Sequence, residues 1–159
     1  MFGQAIESIA YIHSCGIIHS DLRPDNFLIH GTWPLDLDLW LCDFGGSTCK
    51  DLDVSGNALP DAGFFDPNSD WTPSPAVDVF SLGSVLYTIL TGHWPFRGPG
   101  GQFSTMGGME DYEIAVDDHF RRGSFPSVEG LWGGEIILGC WTYKFLDAQD
   151  VMAEVLAVL

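Results

Sequence analysis

Fifteen residues from Val77 to Thr91 are apolar on nearly every side of a helical wheel. A helix of that kind is stable only when other elements surround it. The run contains Asp78, Ser81 and Ser84, which makes it too short and too polar to span a bilayer. It therefore predicts a buried central helix. Gly92 ends it, and Pro95 and Pro99 keep it ended.

The wrapping must come from the rest of the 159 residues, a length that suits one domain over residues 1–159. Phe2, Ala5, Ile6, Ile9, Ala10 and Ile12 recur at helical spacing, predicting an amphipathic helix over Gln4–Cys15 with Gly16 as its stop. Phe27–Ile29 reads as a short strand, and Gly31–Pro34 turns the chain. Leu35, Leu37, Leu39 and Leu41 then alternate with Asp36, Asp38, Trp40 and Cys42, the period of a half-buried strand. Residues 45–75 are rich in Gly, Ser, Asp and Pro and show no period, so a long, functional or mobile loop is expected there. Arg97–Gly108 is a second Gly-rich loop. Helices are predicted at Met109–Arg122 and Glu135–Trp141. A last helix is capped by Asp147, with Val151, Met152, Val155, Leu156 and Leu159 as its apolar stripe. The fold class is mainly α with a small β-hairpin.

The net charge of −16, with only six Lys and Arg, argues against nucleic acid and against anionic membranes as partners. It fits a solvated acidic surface and is compatible with basic protein partners. Met1–Ala10 lacks a basic start and carries Glu7, so it does not read as a signal peptide. Cys15, Cys42, Cys49 and Cys140 form no C-x-x-C pair. Three of them, Cys15, Cys42 and Cys140, sit in apolar patterns and are expected as buried thiols. That use of cysteine predicts a reducing compartment, cytoplasm or nucleus.

The chemistry concentrates in His19-Ser20-Asp21-Leu22-Arg23-Pro24-Asp25-Asn26. Asp and Asn are common in turns, so Asp21 and Asn26 alone say little. Their context says more, because the following hairpin delivers Asp43-Phe44-Gly45 to the same end. One carboxylate to orient a hydroxyl, with a second carboxylate and an amide oxygen for divalent ions, is what phosphoryl transfer requires.

His19–Asn26 resembles the catalytic loop H-R-D-L-K-P-E-N of eukaryotic-type protein kinases, and Asp43–Gly45 resembles their D-F-G. Asp78–Gly83, with Tyr87, Thr91-Gly92 and Trp94–Phe96, is similar to the central helix of the kinase C-terminal lobe. Cys140-Trp141 is similar to a C-W near that lobe's end. The resemblance implies a protein-kinase-like C-terminal lobe of α+β class, with the N-terminal lobe absent. It also implies ATP and Mg2+ as cofactors and a protein substrate. Asp21 would be the catalytic base and Arg23 would contact the transferring phosphate. Asn26 and Asp43 would hold magnesium, and Leu28 would pack beneath the adenine. His19 and Phe44 would stack in a column, and Asp78 would accept hydrogen bonds from the catalytic-loop backbone. Arg23 resembles serine/threonine kinases more than tyrosine kinases, and Ser20 with Asp43–Ser47 is similar to a group of fungal kinases.

Some positions depart from the family pattern. Ser20 stands where an Arg that reads activation-loop phosphate is expected. Asp66-Pro67-Asn68 stands for A-P-E, and no matching Arg follows Trp141, so both members of a buried ion pair are gone. Asp61 takes a Thr position. The Gly-rich loop and ATP-orienting lysine of the N-terminal lobe are not found, so the 159 residues are expected to be inactive alone, with a partner over the open cleft. A non-catalytic pseudokinase-like interaction module is the alternative. A small-molecule phosphotransferase of the aminoglycoside type is disfavoured by Asp78–Gly83 and Cys140-Trp141.

Overall fold

The computed structural model describes residues 1–32, 36–56, 58–98, 103 and 105–158. Helices α1 (Phe2–Ser14), α2 (Pro75–Thr91), α3 (Met106–Arg121), α4 (Gly134–Trp141) and α5 (Ala148–Val158) form the body. Strands β2 (Phe27–Thr32) and β3 (Asp36–Leu41) make the hairpin, with Phe27 opposite Leu41 and Leu28 opposite Trp40. Three two-residue strands form a second sheet: β1 (Ile17–Ile18), β4 (Thr48–Cys49) and β5 (Val54–Ser55), in the order β1-β4-β5.

The central helix is where its composition puts it. α2 starts with Pro75 in its first turn and ends on Gly92, whose φ of 76° a residue with a Cβ would adopt only at a cost. Residues Asp78 to Tyr87 are all buried, and α1, α4 and α5 pack against α2. Its three buried polar residues are each satisfied. Ser81 Oγ donates to the Phe64 carbonyl. Ser84 Oγ accepts from Trp141 Nε1 at 3.0 Å. Asp78 accepts from the backbone N–H groups of His19 and Ser20.

Several elements differ from the sequence expectation. Residues 45–75 are not wholly irregular, because β4 pairs with β1 and β5 with β4. Two-residue strands carry no readable period. α3 begins at Met106 rather than Met109, because Thr105 accepts a hydrogen bond from the Gly108 N–H and so caps an earlier turn. Gly31 and Thr32 belong to β2, whereas Trp33, Pro34 and Leu35 of the expected turn and strand, Pro99, and Leu159 of the last stripe lie outside the described residues. Asp147 does cap α5, accepting from Gln149 N–H at 2.9 Å. The face that α5 buries carries Ala148, Val151 and Val155; Leu156 stands one residue round the helix and is exposed. All four cysteines are free thiols. Cys140 is buried, but Cys15 is exposed just past the end of α1, and Cys42 and Cys49 are partly covered. Among the described residues no helix is long and apolar enough to cross a membrane.

Close approach of α2 and α4 depends on Gly83. A Cβ there would lie 2.8 Å from Cys140 Cβ and 3.2 Å from two atoms of the Trp141 ring. Overpacking of that kind costs about 1–3 kcal/mol. Gly83→Ala is therefore expected to lower the urea midpoint without changing the slope, read by Trp141 fluorescence; an unchanged midpoint would mean that the helices separate freely.

Candidate active site

The segment between α1 and β2 has almost no regular structure, so its backbone groups need other partners. Asp78, fully buried on α2, supplies them. Its Oδ2 accepts from His19 N–H at 2.7 Å and its Oδ1 from Ser20 N–H at 2.9 Å. His13 of α1 approaches Oδ2 with Nε2 at 3.1 Å, while its Nδ1 accepts from Ala148 N–H at 3.4 Å. One carboxylate thus ties α1, α2 and the loop together, and His13 extends the tie to the start of α5. Ser20 is held at φ 66°, the left-handed region that a serine seldom occupies. Its Oγ is buried and finds no hydrogen-bond partner among the described residues.

Asp21 follows that strained residue and is turned toward Asn26. Asn26 Nδ2 donates to the Asp21 carbonyl at 2.7 Å and to Asp21 Oδ2 at 3.1 Å. With its nitrogen committed, the amide presents Oδ1 elsewhere. Cys42, the last residue before Asp43, is clamped to the loop twice. Its N–H donates to the Asn26 carbonyl at 2.9 Å, and its carbonyl accepts from His19 Nε2 at 3.0 Å. The His19 ring lies 5.1 Å from that of Phe44. The hairpin therefore brings Asp43 to the end of the loop that carries Asp21 and Asn26. Asp43 itself sits at φ 61°, is exposed, and bonds the Gly45 N–H at 3.4 Å rather than either of them. Phe44 is also largely exposed, so the column at His19 is open on one side. Leu28 stands out from the hairpin, more than half exposed, on the face opposite to Phe27 and Ile29, which with Leu39, Val85 and Ile89 line an apolar cleft.

Arg23 is turned away from Asp21. Its Nε and Nη2 donate to Asp25 Oδ2 at 3.1 and 2.6 Å, and its Nη1 donates to Asp61. Partial burial pulls the guanidinium's pKa down, but the hydrogen bond to Asp25 and the charges of Asp61, Asp25 and Asp21 outweigh it and leave it raised. For Asp21, burial pushes the carboxyl up. The Asn26 hydrogen bond, Arg23 and His19 pull it down and Asp61 pushes it up, and the balance lies above the usual value of 3.8.

Sequence reasoning missed three contacts. Asp61 as partner of Arg23 lies 38 residues downstream in the segment without periodicity, and only its place at the Thr position marked it. Tyr143 Oη donates to Asp66 Oδ2 at 2.9 Å, and Asn68 Nδ2 donates to the Phe120 carbonyl at 3.4 Å. Where the expected ion pair is lost, the segment is fastened by an uncharged donor instead.

The protein kinase domain family model matches residues 1–129. Calcium/calmodulin-dependent protein kinase type 1B of Homo sapiens is 36% identical over 98 residues, 60% of this chain and 28% of its own length. Serine/threonine-protein kinase TOS3 of Saccharomyces cerevisiae is 28% identical over 163 residues, 95% of this chain and 27% of its own. The Rad53 kinase domain with SCD2 superposes with a TM-score of 0.66 at 26% identity, covering 96% of this chain and 52% of that one. Its complex with AMPPNP gives 0.65. The chain thus has the fold of a protein kinase, helix-rich with small sheets. It belongs to the protein kinase family, and it spans about a quarter of the length of the curated relatives it matches.

Two outcomes test this geometry. Asp78→Ala strands the buried N–H groups of His19 and Ser20, each worth 1–3 kcal/mol unpaired, and should cost on the order of 3 kcal/mol or more. Amide exchange should accelerate at those two residues first; protection retained there would remove Asp78 from its tethering role. The second outcome concerns pH. A carboxyl whose value is raised by folding favours the folded state below about pH 3.8, and this contribution is lost as pH rises through the raised value. Asp21→Asn should therefore stabilise the protein near pH 7 more than near pH 3, measured by denaturant unfolding. A larger gain at the acid end would contradict the burial of Asp21.

Proposed function

We propose that these residues are the lower, catalytic lobe of a serine/threonine protein kinase, which transfers the γ-phosphoryl group of ATP to a hydroxyl of a protein substrate. The observation that carries the reading is the contact of Asp21 with Asn26 on a loop fixed by Asp78, with Cys42 delivering Asp43 beside it. Asp21 Oδ is the acceptor for the hydroxyl proton. As that proton moves to it, the substrate oxygen bonds to the γ-phosphorus, the bond from phosphorus to the β,γ-bridging oxygen breaks, and ADP leaves with the electron pair. Proton transfer of this kind is helped by a carboxyl whose value stands above the ordinary range, as Asp21's does.

Asp43 and Asn26 fit magnesium by their chemistry. Both offer hard oxygen donors, Asp43 through an exposed carboxylate and Asn26 through the amide oxygen left when Nδ2 turns to Asp21. Magnesium is commonly held by one or two carboxylates together with substrate phosphates and water, so a closed protein cage is not needed. When bound, it would neutralise charge on the phosphates. Leu28 would form the floor for the adenine. That floor is also the surface on which an upper lobe or another protein partner would close.

A non-catalytic interaction module is the second reading, favoured by one feature: Arg23 is engaged by Asp25 and Asp61 rather than free for a phosphate.

With water reaching the phosphates from the open side, each electrostatic contact is weak. The 159 residues alone should bind ATP far more weakly than a two-lobed kinase, with negligible transfer. Fusion to a compatible upper lobe should give magnesium-dependent phosphorylation of a protein substrate, and Asp43→Asn should abolish it. Robust turnover by the purified monomeric chain would refute the open-cleft account. No transfer by a folded, nucleotide-binding fusion would favour the interaction module.

A further inference from the structure

The engagement of Arg23 separates into two unequal contacts. Asp25 lies two residues along the same loop and its side chain is 63% exposed, so it moves with Arg23 and is well solvated. Asp61 comes from 38 residues away, and its side chain is 32% exposed. It is not a floating surface group. The Asp61 carbonyl accepts from Phe64 N–H at 3.0 Å, closing a turn. Phe64 is fully buried, and its own carbonyl takes the Ser81 hydroxyl from the central helix. Within that turn, Gly63 has φ 88°, and a Cβ on it would lie 2.6 Å from the Tyr112 hydroxyl, so the backbone has little room to shift. The turn therefore fixes the backbone from which the Asp61 carboxylate reaches Nη1 of Arg23.

We infer that Asp61 is an internal anion that occupies Arg23, and that a phosphate group arriving at Arg23 must displace it. Asp61 is thus a positioning residue that acts through Arg23. The inference deepens the kinase reading, on which it rests for the identity of the arriving anion. A guanidinium has five N–H donors. Here Nε and Nη2 point at Asp25 and Nη1 at Asp61, while the Asp21 carboxylate adds its charge nearby. An incoming dianion meets one cation beside three carboxylates. A neutral residue at position 61 would remove one of those negative charges and release Nη1. The same contact fastens the segment before Phe64 to the catalytic loop, so the loop is closed over Arg23 until an anion competes for it.

The test uses the full chain and inorganic phosphate, with the Nε–Hε resonance of Arg23 observed by NMR at fixed ionic strength. Charge-assisted hydrogen bonds of this kind correspond to about tenfold in an equilibrium constant. Asp61→Asn is expected to lower the phosphate concentration that half-saturates the Arg23 shift about tenfold, and Asp61→Thr to do the same. A second readout separates competition from mere support of the turn: amide exchange at Phe64 should be unchanged in Asp61→Asn, because the turn's own hydrogen bond uses the Asp61 carbonyl and not its carboxylate. Half-saturation unchanged in both variants, or phosphate bound more weakly once Asp61 is neutral, overturns the inference. If Asp61→Asn does not fold, Asp61→Thr alone decides by the same criterion. Neither measurement involves phosphotransfer. Failure of the two-lobed fusion to phosphorylate would sink the kinase reading and leave the displacement of Asp61 standing, and the converse also holds.

Discussion

The buried carboxylate of Asp78 is the joint on which the site hangs. It lies on the one helix that the other helices surround, and it accepts from two consecutive backbone N–H groups of an irregular segment. A loop without ladder hydrogen bonds would otherwise fray, because each buried N–H left unpaired costs more than a hydrogen bond returns. Consecutive donors to the two oxygens of one carboxylate also fix the orientation of the peptide between His19 and Ser20. That orientation is what places Ser20 in the left-handed region and turns the next side chain, Asp21, toward Asn26. Strain at Ser20 is sustained because the carboxylate over-determines it. His13 brings α1 and the first turn of α5 to the same point, so the periphery of the body is coupled to the loop through one histidine ring.

From that joint the geometry passes outward by backbone contacts rather than by charge. Cys42 spans the distance between hairpin and loop with its own amide and carbonyl, and a hydrogen bond to a main-chain group does not depend on the residue type at that position. Asp43 is then carried to the site by its neighbour, while its carboxylate stays on its own turn. Its backbone is fixed and its side chain is exchangeable. A cavity of about 570 Å³ lined by Phe125, Val128, Leu131 and Leu138 lies where the segment after α3 meets α4, away from these residues.

Much of this was legible in the sequence, for physical reasons that can be named. The all-round apolar stretch could only be central, and the 3.6-residue spacing of Phe2, Ile6 and Ile9 marked the face of α1. Asp21, Asn26, Asp43 and Asp78 were legible because motif order brings them together. The small β1-β4-β5 sheet was not, since two residues per strand define no period. The early start of α3 was hidden because two glycines, Gly107 and Gly108, follow the Thr105 cap and weaken its helical signal. Leu156 misled because a run of apolar residues near the end of α5 is broader than the face it buries. The pairing of Arg23 with Asp61 is a contact across 38 residues that no local pattern encodes.

The loss of the expected ion pair shows how a fold keeps a constraint while changing its chemistry. Removing both members of a buried pair is tolerable, whereas removing one is not. Here Asn68 stands where a charge is expected, and its Nδ2 donates to the Phe120 carbonyl at 3.4 Å. The tether has moved to Asp66 and Tyr143. Burial, then the hydrogen bond to Asp66, holds the Tyr143 phenol well above its usual range, so it stays a neutral donor. A neutral donor to a partly solvated carboxylate needs far less desolvation than a buried guanidinium with its counter-ion. Tyr143 takes its φ of 56° from the stop of α4, where the Lys144 N–H turns back to the Gly139 carbonyl at 2.9 Å. Among the described residues the segment between Asp61 and Asn68 is therefore fastened at four points: to the loop after β1 by Asp61, to α2 by the Phe64 carbonyl, to the α4–α5 turn by Asp66 and to α3 by Asn68. Only the first of these is a salt bridge, so it alone is weakened by screening as salt rises.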